Sequence, residues 1–237
     1  MIDAYLAKSP AAMKVPVLME ELGLEYRIMP VAVGDGEQHK PGFRAIALNN
    51  KVPAIVDHAP SDGGAPISLF ESGAIMTYLA DKAGRFLPAD ARPRAEVMQW
   101  MFWQASGLSP MSGQAVHFTI YAPETARPYT QQRYYNEVNR LYGVLNKQLE
   151  GRDFICGSYT IADMAAYTWI LYAGWIGQKV EEFPNLKRWH ESIAARPAVV
   201  RAYERTKKEI PDGKNDMKSE EFRKNMFGHT AKSLGLI

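Results

Sequence analysis

The stretch "SLFESGAIMTYLADK", residues 68–82, sets an acid and a hydroxyl, Glu71 and Ser72, at the start of an apolar helix expected over 73–83. A helix N-terminus carries unpaired N–H groups and the positive end of the backbone dipole, which favour a carboxylate. Ser72 can add its hydroxyl, and Glu71 can meet an ammonium, so both charges of an α-amino acid head group are matched. The plainer reading is that Ser72 only caps the helix, a common role for serine. A second stretch, "NNKVPAIVD" at 49–57, is a short apolar run suited to a buried strand, with Pro53 inside it. Proline has no N–H for a ladder and belongs at a strand edge, start or bulge. The stretch is therefore either an edge strand or a place where backbone is left open for a ligand.

The elements that must position these groups can be read from periodicity. Residues 2–6 form a strand candidate and "KSPAA" a turn. Val15, Leu18, Met19 and Leu22 then recur at helical spacing until Gly23. "EYRIMPVAV", 25–33, reads as the second strand, which makes a β-α-β unit with a parallel pair. The run 52–57 is the third strand, and "ISLF" the fourth. After "GRFLPADARPR" the pattern is helical from Pro93 onward. Along 130–149, Val138, Leu141, Tyr142, Leu145 and Leu149 fall on one stripe. Thr160 and Asp163 have the spacing of a capping box, with Asp in place of the usual Glu or Gln. These boundaries give a mixed domain over 1–88, a helical domain over 93–208 and a polar C-terminal extension over 209–237.

Composition narrows the function classes. A formal net charge of +2 without a block of like charges argues against a nucleic-acid partner. No apolar run approaches the roughly 20 residues that span a bilayer. The start lacks a signal-peptide pattern, and the single cysteine, Cys156, excludes an internal disulfide framework, so a cytoplasmic location is expected. Cys156 follows Ile155 in a connector and reads as structural. The five histidines show no metal-ligand spacing, so no metal is expected. No catalytic triad and no phosphate-loop or dinucleotide glycine pattern is present.

A β-α-β, β-β-α module with a proline at the start of its third strand resembles the thioredoxin fold. That fold's proline is cis, with Val52–Pro53 as the bond here, and the N–H and C=O of Val52 can then pair with an extended peptide. With the head-group site one strand away, the two stretches describe a γ-glutamyl peptide site. The whole chain resembles the glutathione transferase superfamily. It is most like the bacterial Nu-class enzymes, which are glutathione-dependent disulfide-bond reductases, and the related fungal nitrogen regulators. The likeness is carried by "EYRIMPV", "NNKVPAIVDHAPSDGGAPISLFESGAIMTYLADK", "VMQWMFWQASGLSPMSGQ", "RLYGVLNKQL", "YTIADMAAY" and "FPNLKRWHESIAARPAV". It implies an α+β thioredoxin-like domain followed by an all-α bundle, a homodimer, and glutathione as co-substrate. It further implies glutathione contacts at Gln38, Val52, Pro53, Glu71, Ser72 and Arg133. An arginine can hold a glutathione carboxylate through a bidentate pair. Arg140, seven residues after Arg133 on the same polar face, reads as solvated surface.

One motif departs from the family. Where Nu-class enzymes carry Thr-Pro-Asn-Gly after the first strand, this chain has Ser9-Pro10-Ala11-Ala12. The hydroxyl survives at Ser9, the expected catalytic residue facing the glutathione sulfur, although it could equally only cap the helix. The amide is lost at Ala11. Tyr5, the other candidate hydroxyl, lies inside the first strand. Candidates for a second-substrate pocket are Phe102, Trp103, Met111, His117, Tyr121 and Trp175. The segment 98–121 has more large side chains than one helix face can bury, which fits a dimer. The expected activity is attack by the glutathione thiolate on a small disulfide or an electrophile. The alternative is a glutathione-binding regulatory or sensor protein with little catalysis, a reading that Ala11 keeps open.

Overall fold

The structure is a computed structural model that describes residues 1–213, 217 and 219–235. The remaining positions of the extension expected over 209–237 (214–216, 218, 236 and 237) lie outside the described residues. Four strands, β1 (Ile2–Leu6), β2 (Tyr26–Pro30), β3 (Ala54–Asp57) and β4 (Ile67–Phe70), form one sheet in the order β2-β1-β3-β4. β1 runs parallel to β2 and antiparallel to β3, and β4 is antiparallel to β3. The helices are α1 (Pro10–Leu22), α2 (Pro41–Arg44), α3 (Ser72–Ala83), α4 (Ala91–Trp103), α5 (Ser109–Val116), α6 (Arg127–Gln148), α7 (Ile161–Ile170), α8 (Pro184–Ala194), α9 (Pro197–Glu209) and α10 (Glu220–Phe227). A thioredoxin-like sheet with its helices precedes a helical bundle, as expected.

Three boundaries differ from the sequence reading. β2 stops at Pro30 and β3 starts at Ala54, after Pro53, because a proline cannot extend a ladder through its own nitrogen. Ser72 is the first residue of α3, not its cap; Glu71 holds the cap position with φ +70° and makes no side-chain cap bond. The Val52–Pro53 bond is cis, as expected.

Helix α1 is the element around which the rest packs. Ser9 caps it, Pro10 opens it with a preset φ, and Gly23 closes it at φ +68°, where a side chain would be strained. Every residue from Ala12 to Met19 is buried, because α1 is enclosed by the sheet, α3, α7 and α9. The main hydrophobic core therefore runs without a break from Leu6 and Leu18 into Leu145, Ile161 and Trp189 of the bundle. Salt bridges from Arg196 to Glu21 and from Arg201 and Arg205 to Glu20 tie α9 to α1 at the rim.

The capping box of α7 is present, with Asp163 fully buried. Its carboxylate accepts from the Thr160 and Ile155 N–H groups and from Trp189 Nε1. One acid thus fixes the start of α7, the preceding connector and α8. Cys156 lies in that connector, partly buried, and burial pushes its thiol up to about 12, which makes it a poor nucleophile.

Candidate active site

A cavity of about 700 Å³ opens where the head of α3, the segment before β3 and helix α4 meet, a size that suits a small peptide ligand. The head of α3 contributes Glu71, Ser72, Gly73 and Ala74, whose first-turn N–H groups have no partner within the helix. Asn49 Nδ2 donates to Glu71 Oε1 at 3.3 Å, which orients that carboxylate. The positive φ of Glu71 is unusual for a residue with a side chain. Such conformations cost about 1–3 kcal/mol and collect at ligand clamps, where the surrounding structure holds them.

Val52 and Pro53 form the facing wall. Among the described residues no hydrogen bond uses the Val52 backbone N–H or C=O, so both are free for a ligand. The floor holds Lys14 from α1 and Ser109 from α5, and the remaining wall is apolar, with Phe70, Met98, Met101 and Phe102. The Lys14 Nζ donates to Ser72 Oγ at 3.5 Å and to Ser109 Oγ at 3.2 Å. Lys14 was missed by periodicity, which read only the apolar positions of its helix. The signal was there: it is the one charged residue in "AAMKVPVLM", a run too apolar to have a solvated face.

The structure gathers only some of the expected site residues. Val52, Pro53, Glu71, Ser72 and Phe102 line the cavity. Ser9 stands just outside it. Its Oγ accepts the Ala12 N–H at 3.3 Å, and Ala11 lies at the cavity wall. Tyr5 packs edge-on against Phe43, away from the cavity. Gln38 is buried, and its amide donates to the carbonyl of Asn225 in α10. Arg133 is exposed on α6 and does not reach the cavity, while Arg140 pairs with Glu137 on the same surface.

Of the expected second-substrate residues, five lie elsewhere. His117 and Tyr121 hold α10 through ring contacts with Phe227, and Tyr121 also meets Phe222. Trp103 packs edge-on against Trp100, and Met111 lies against the core. Trp175 is exposed beside Tyr172. Helical spacing fixes which face these side chains share, not which wall that face joins. Among the described residues no group of three or more His, Cys, Asp or Glu side chains could hold a metal ion.

Comparisons with known proteins place the fold in a family. The family described as glutathione S-transferase, N-terminal domain, matches residues 8–82, and its C-terminal domain matches 108–197. The chain is 47% identical to the disulfide-bond oxidoreductase YfcG of Escherichia coli, over 91% of this chain and 100% of that protein. It is 37% identical to a second E. coli disulfide-bond oxidoreductase, YghU, over 84% and 73% of the two chains. A glutathione transferase family member from Pseudomonas fluorescens, solved with two glutathiones bound, superposes with a TM-score of 0.80 at 40% identity, covering 85% of this chain and 91% of that one. A glutathione transferase from Pseudomonas putida, with one glutathione disulfide bound per subunit, gives a TM-score of 0.78 at 35% identity, over 85% and 90%.

Proposed function

The chain belongs to the glutathione S-transferase family, and from that premise we propose that it is a glutathione-dependent enzyme whose main reaction is the reduction of small disulfides. The observation that carries this reading is the cavity itself, which sets the head of α3 opposite the unpaired backbone of Val52. The γ-glutamyl carboxylate fits the free N–H groups and the Ser72 hydroxyl, and the ammonium fits Glu71. The cysteinyl unit then lies along Val52, pairing as one strand residue does with another. That alignment carries the sulfur toward the start of α1, where Ser9 and the first N–H groups of the helix favour a thiolate.

The reaction needs no group beyond the substrates. The glutathione thiolate attacks one sulfur of a disulfide; a new S–S bond forms, the old one breaks, and the leaving thiolate takes up a proton. A second glutathione resolves the mixed disulfide, giving glutathione disulfide and a second thiol, so two electrons are transferred in all. The apolar wall of Phe70, Met98, Met101 and Phe102 accepts the carbon part of the second substrate. Gln38 and Arg133 lie outside the cavity of a single chain. The Gln38 amide nitrogen is engaged by α10, and Arg133 is exposed on α6. A homodimer is supported by the exposed Phe70 on the edge strand β4 and the exposed Phe102 beside the same cavity. A cytoplasmic location is supported by the lone, partly buried cysteine.

A paired assay tests the function. Glutathione-dependent reduction of 2-hydroxyethyl disulfide is measured beside glutathione conjugation of a chlorinated dinitrobenzene. Disulfide reduction is expected to dominate. Dominant conjugation would make the protein a conjugating transferase, and glutathione binding without either activity would favour the regulatory reading. No thermal stabilisation by millimolar glutathione or glutathione disulfide would sink both, because a ligand of the native state must raise its stability.

A further inference from the structure

The cavity floor holds a cation that the family motifs do not account for. Lys14 is 2% exposed, inside a stretch of α1 in which every neighbour is also buried. An ammonium is rarely placed there without a matching anion, because burial strips its hydration. Here its hydrogen-bond partners among the described residues are two neutral hydroxyls, Ser72 Oγ and Ser109 Oγ. Glu71 is the carboxylate whose charge it feels, without forming an ion pair with it. Lys14 also lines the cavity, directly behind Ser72. The chain has therefore buried a titratable amine behind the hydroxyl that meets the ligand, with no ion pair to a carboxylate among the described residues.

We infer that Lys14 is the counter-ion for the α-carboxylate bound at the head of α3, acting through Ser72 as a positioning residue that selects ligands carrying that carboxylate. By donating to Ser72 Oγ, Lys14 occupies a lone pair of the hydroxyl and turns its proton toward the cavity. The carboxylate accepts that proton, and the ammonium supplies charge one hydroxyl away, in surroundings dry enough for the attraction to count. Ser109 fixes the ammonium from the helical domain, so the site is complete only when both domains are docked. This inference rests on the glutathione reading of the cavity.

The charge at this position is poised to change. Burial pushes the Lys14 pKa down to about 7, against the pull of Glu71. The other charged or titratable groups lining the cavity are Asp81 and Tyr78 from α3 and Lys51 from the segment before β3; α4 and α5 present Met98, Met101 and Ser109. A bound carboxylate stabilises the protonated form and raises that pKa. Affinity for the anion is thus greatest when Lys14 is charged and weakens as pH rises above about 7.

The test compares two thiol-blocked ligands on the full chain by calorimetry: S-methylglutathione, and the same peptide with 4-aminobutyrate in place of the γ-glutamyl unit, which lacks the α-carboxylate. Lys14→Met is expected to weaken binding of S-methylglutathione about tenfold or more, and to leave the decarboxylated ligand almost unchanged. Wild-type affinity for S-methylglutathione is expected to fall between pH 6 and 8, and the variant's to stay flat. An equal loss on both ligands would make Lys14 a structural strut and overturn the inference, as would a flat wild-type profile. Should Lys14→Met fail to fold, Lys14→Gln and the wild-type pH series carry the same comparison. If wild type binds neither ligand nor glutathione, the reading of the cavity fails first, and the two failures are distinguished.

Discussion

Ser9 occupies the position from which a side chain can do two jobs at once. Its oxygen accepts the Ala12 N–H at 3.3 Å, and its own proton remains available to donate. A free thiol with a pKa of about 8.5 is only a few per cent ionised at pH 7, so a donor near the sulfur raises the thiolate fraction. The gain in rate is smaller than the gain in ionisation, because nucleophilicity falls with pKa. Holding the sulfur in line with the disulfide contributes more, so the loss of the family's asparagine at Ala11 is expected to cost little. Ser9→Ala is expected to raise the pKa of bound glutathione by roughly one to two units, the equivalent of one charge-assisted hydrogen bond. Loss of the cap should cost about 1 kcal/mol of stability as well. Thiolate absorbance titrated in saturating glutathione reads the first effect, and denaturant unfolding reads the second. If the two proteins titrate together, Ser9 is only a cap and the thiolate is held by backbone N–H groups.

At the scale of elements, the contact that most alters the expected site is α10 against the loop after β2. Asn225 accepts from the Gln38 amide and donates to the Gly34 carbonyl, while Phe222 lies against Gly34. His229 packs against His39 with the rings tilted, and His117 and Tyr121 contact Phe227 of the helix. The segment thus engages the amide nitrogen of a residue that the family resemblance assigns to glutathione. A chain ending at Gly213 is expected to bind glutathione about two- to tenfold more tightly, the worth of one ordinary hydrogen bond regained. Adding Gln38→Ala to the shortened chain should remove the gain. Calorimetry on the three proteins decides it; unchanged affinity on shortening would mean that Gln38 is a structural partner of α10 and takes no part in the site.

For the whole molecule, the joining of the two domains is the decisive feature. The sequence boundary near residues 88–93 is real in composition, yet the core crosses it, and α1 is walled by α7 and α9 as much as by its own sheet. Lys14 and Ser109 meet across that junction beside the ligand cavity. What the single chain leaves open is an edge: among the described residues β4 has no outer neighbour in the sheet, and Phe70 on it is exposed, as is Phe102 nearby. Bare edges and clustered apolar side chains are usually covered in working proteins. Sedimentation at micromolar concentration is expected to show a species of twice the chain mass, and Phe70→Glu with Phe102→Glu should shift it toward the monomer. A clean wild-type monomer would contradict the dimer.

The sequence by itself determined what short-range physics controls. Alternation and helical spacing located the four strands and the long helices, Gly23 ended α1, and Thr160 with Asp163 marked the start of α7. It also determined the two short motifs that face each other across the cavity, Val52–Pro53 and Glu71–Ser72, because proline's missing donor and a helix head have chemistry at any position in any fold. Only the tertiary structure decided which side chains share a wall. His117, Tyr121 and Trp175 have the size and polarity of pocket residues but pack elsewhere, since helical spacing fixes a face and leaves open what that face meets. Burial, too, was decided in three dimensions. The sequence marks Lys14 as a lone charge in an apolar run, but only the fold decides what it meets, the Ser72 and Ser109 hydroxyls that contacts far apart in the chain bring to it.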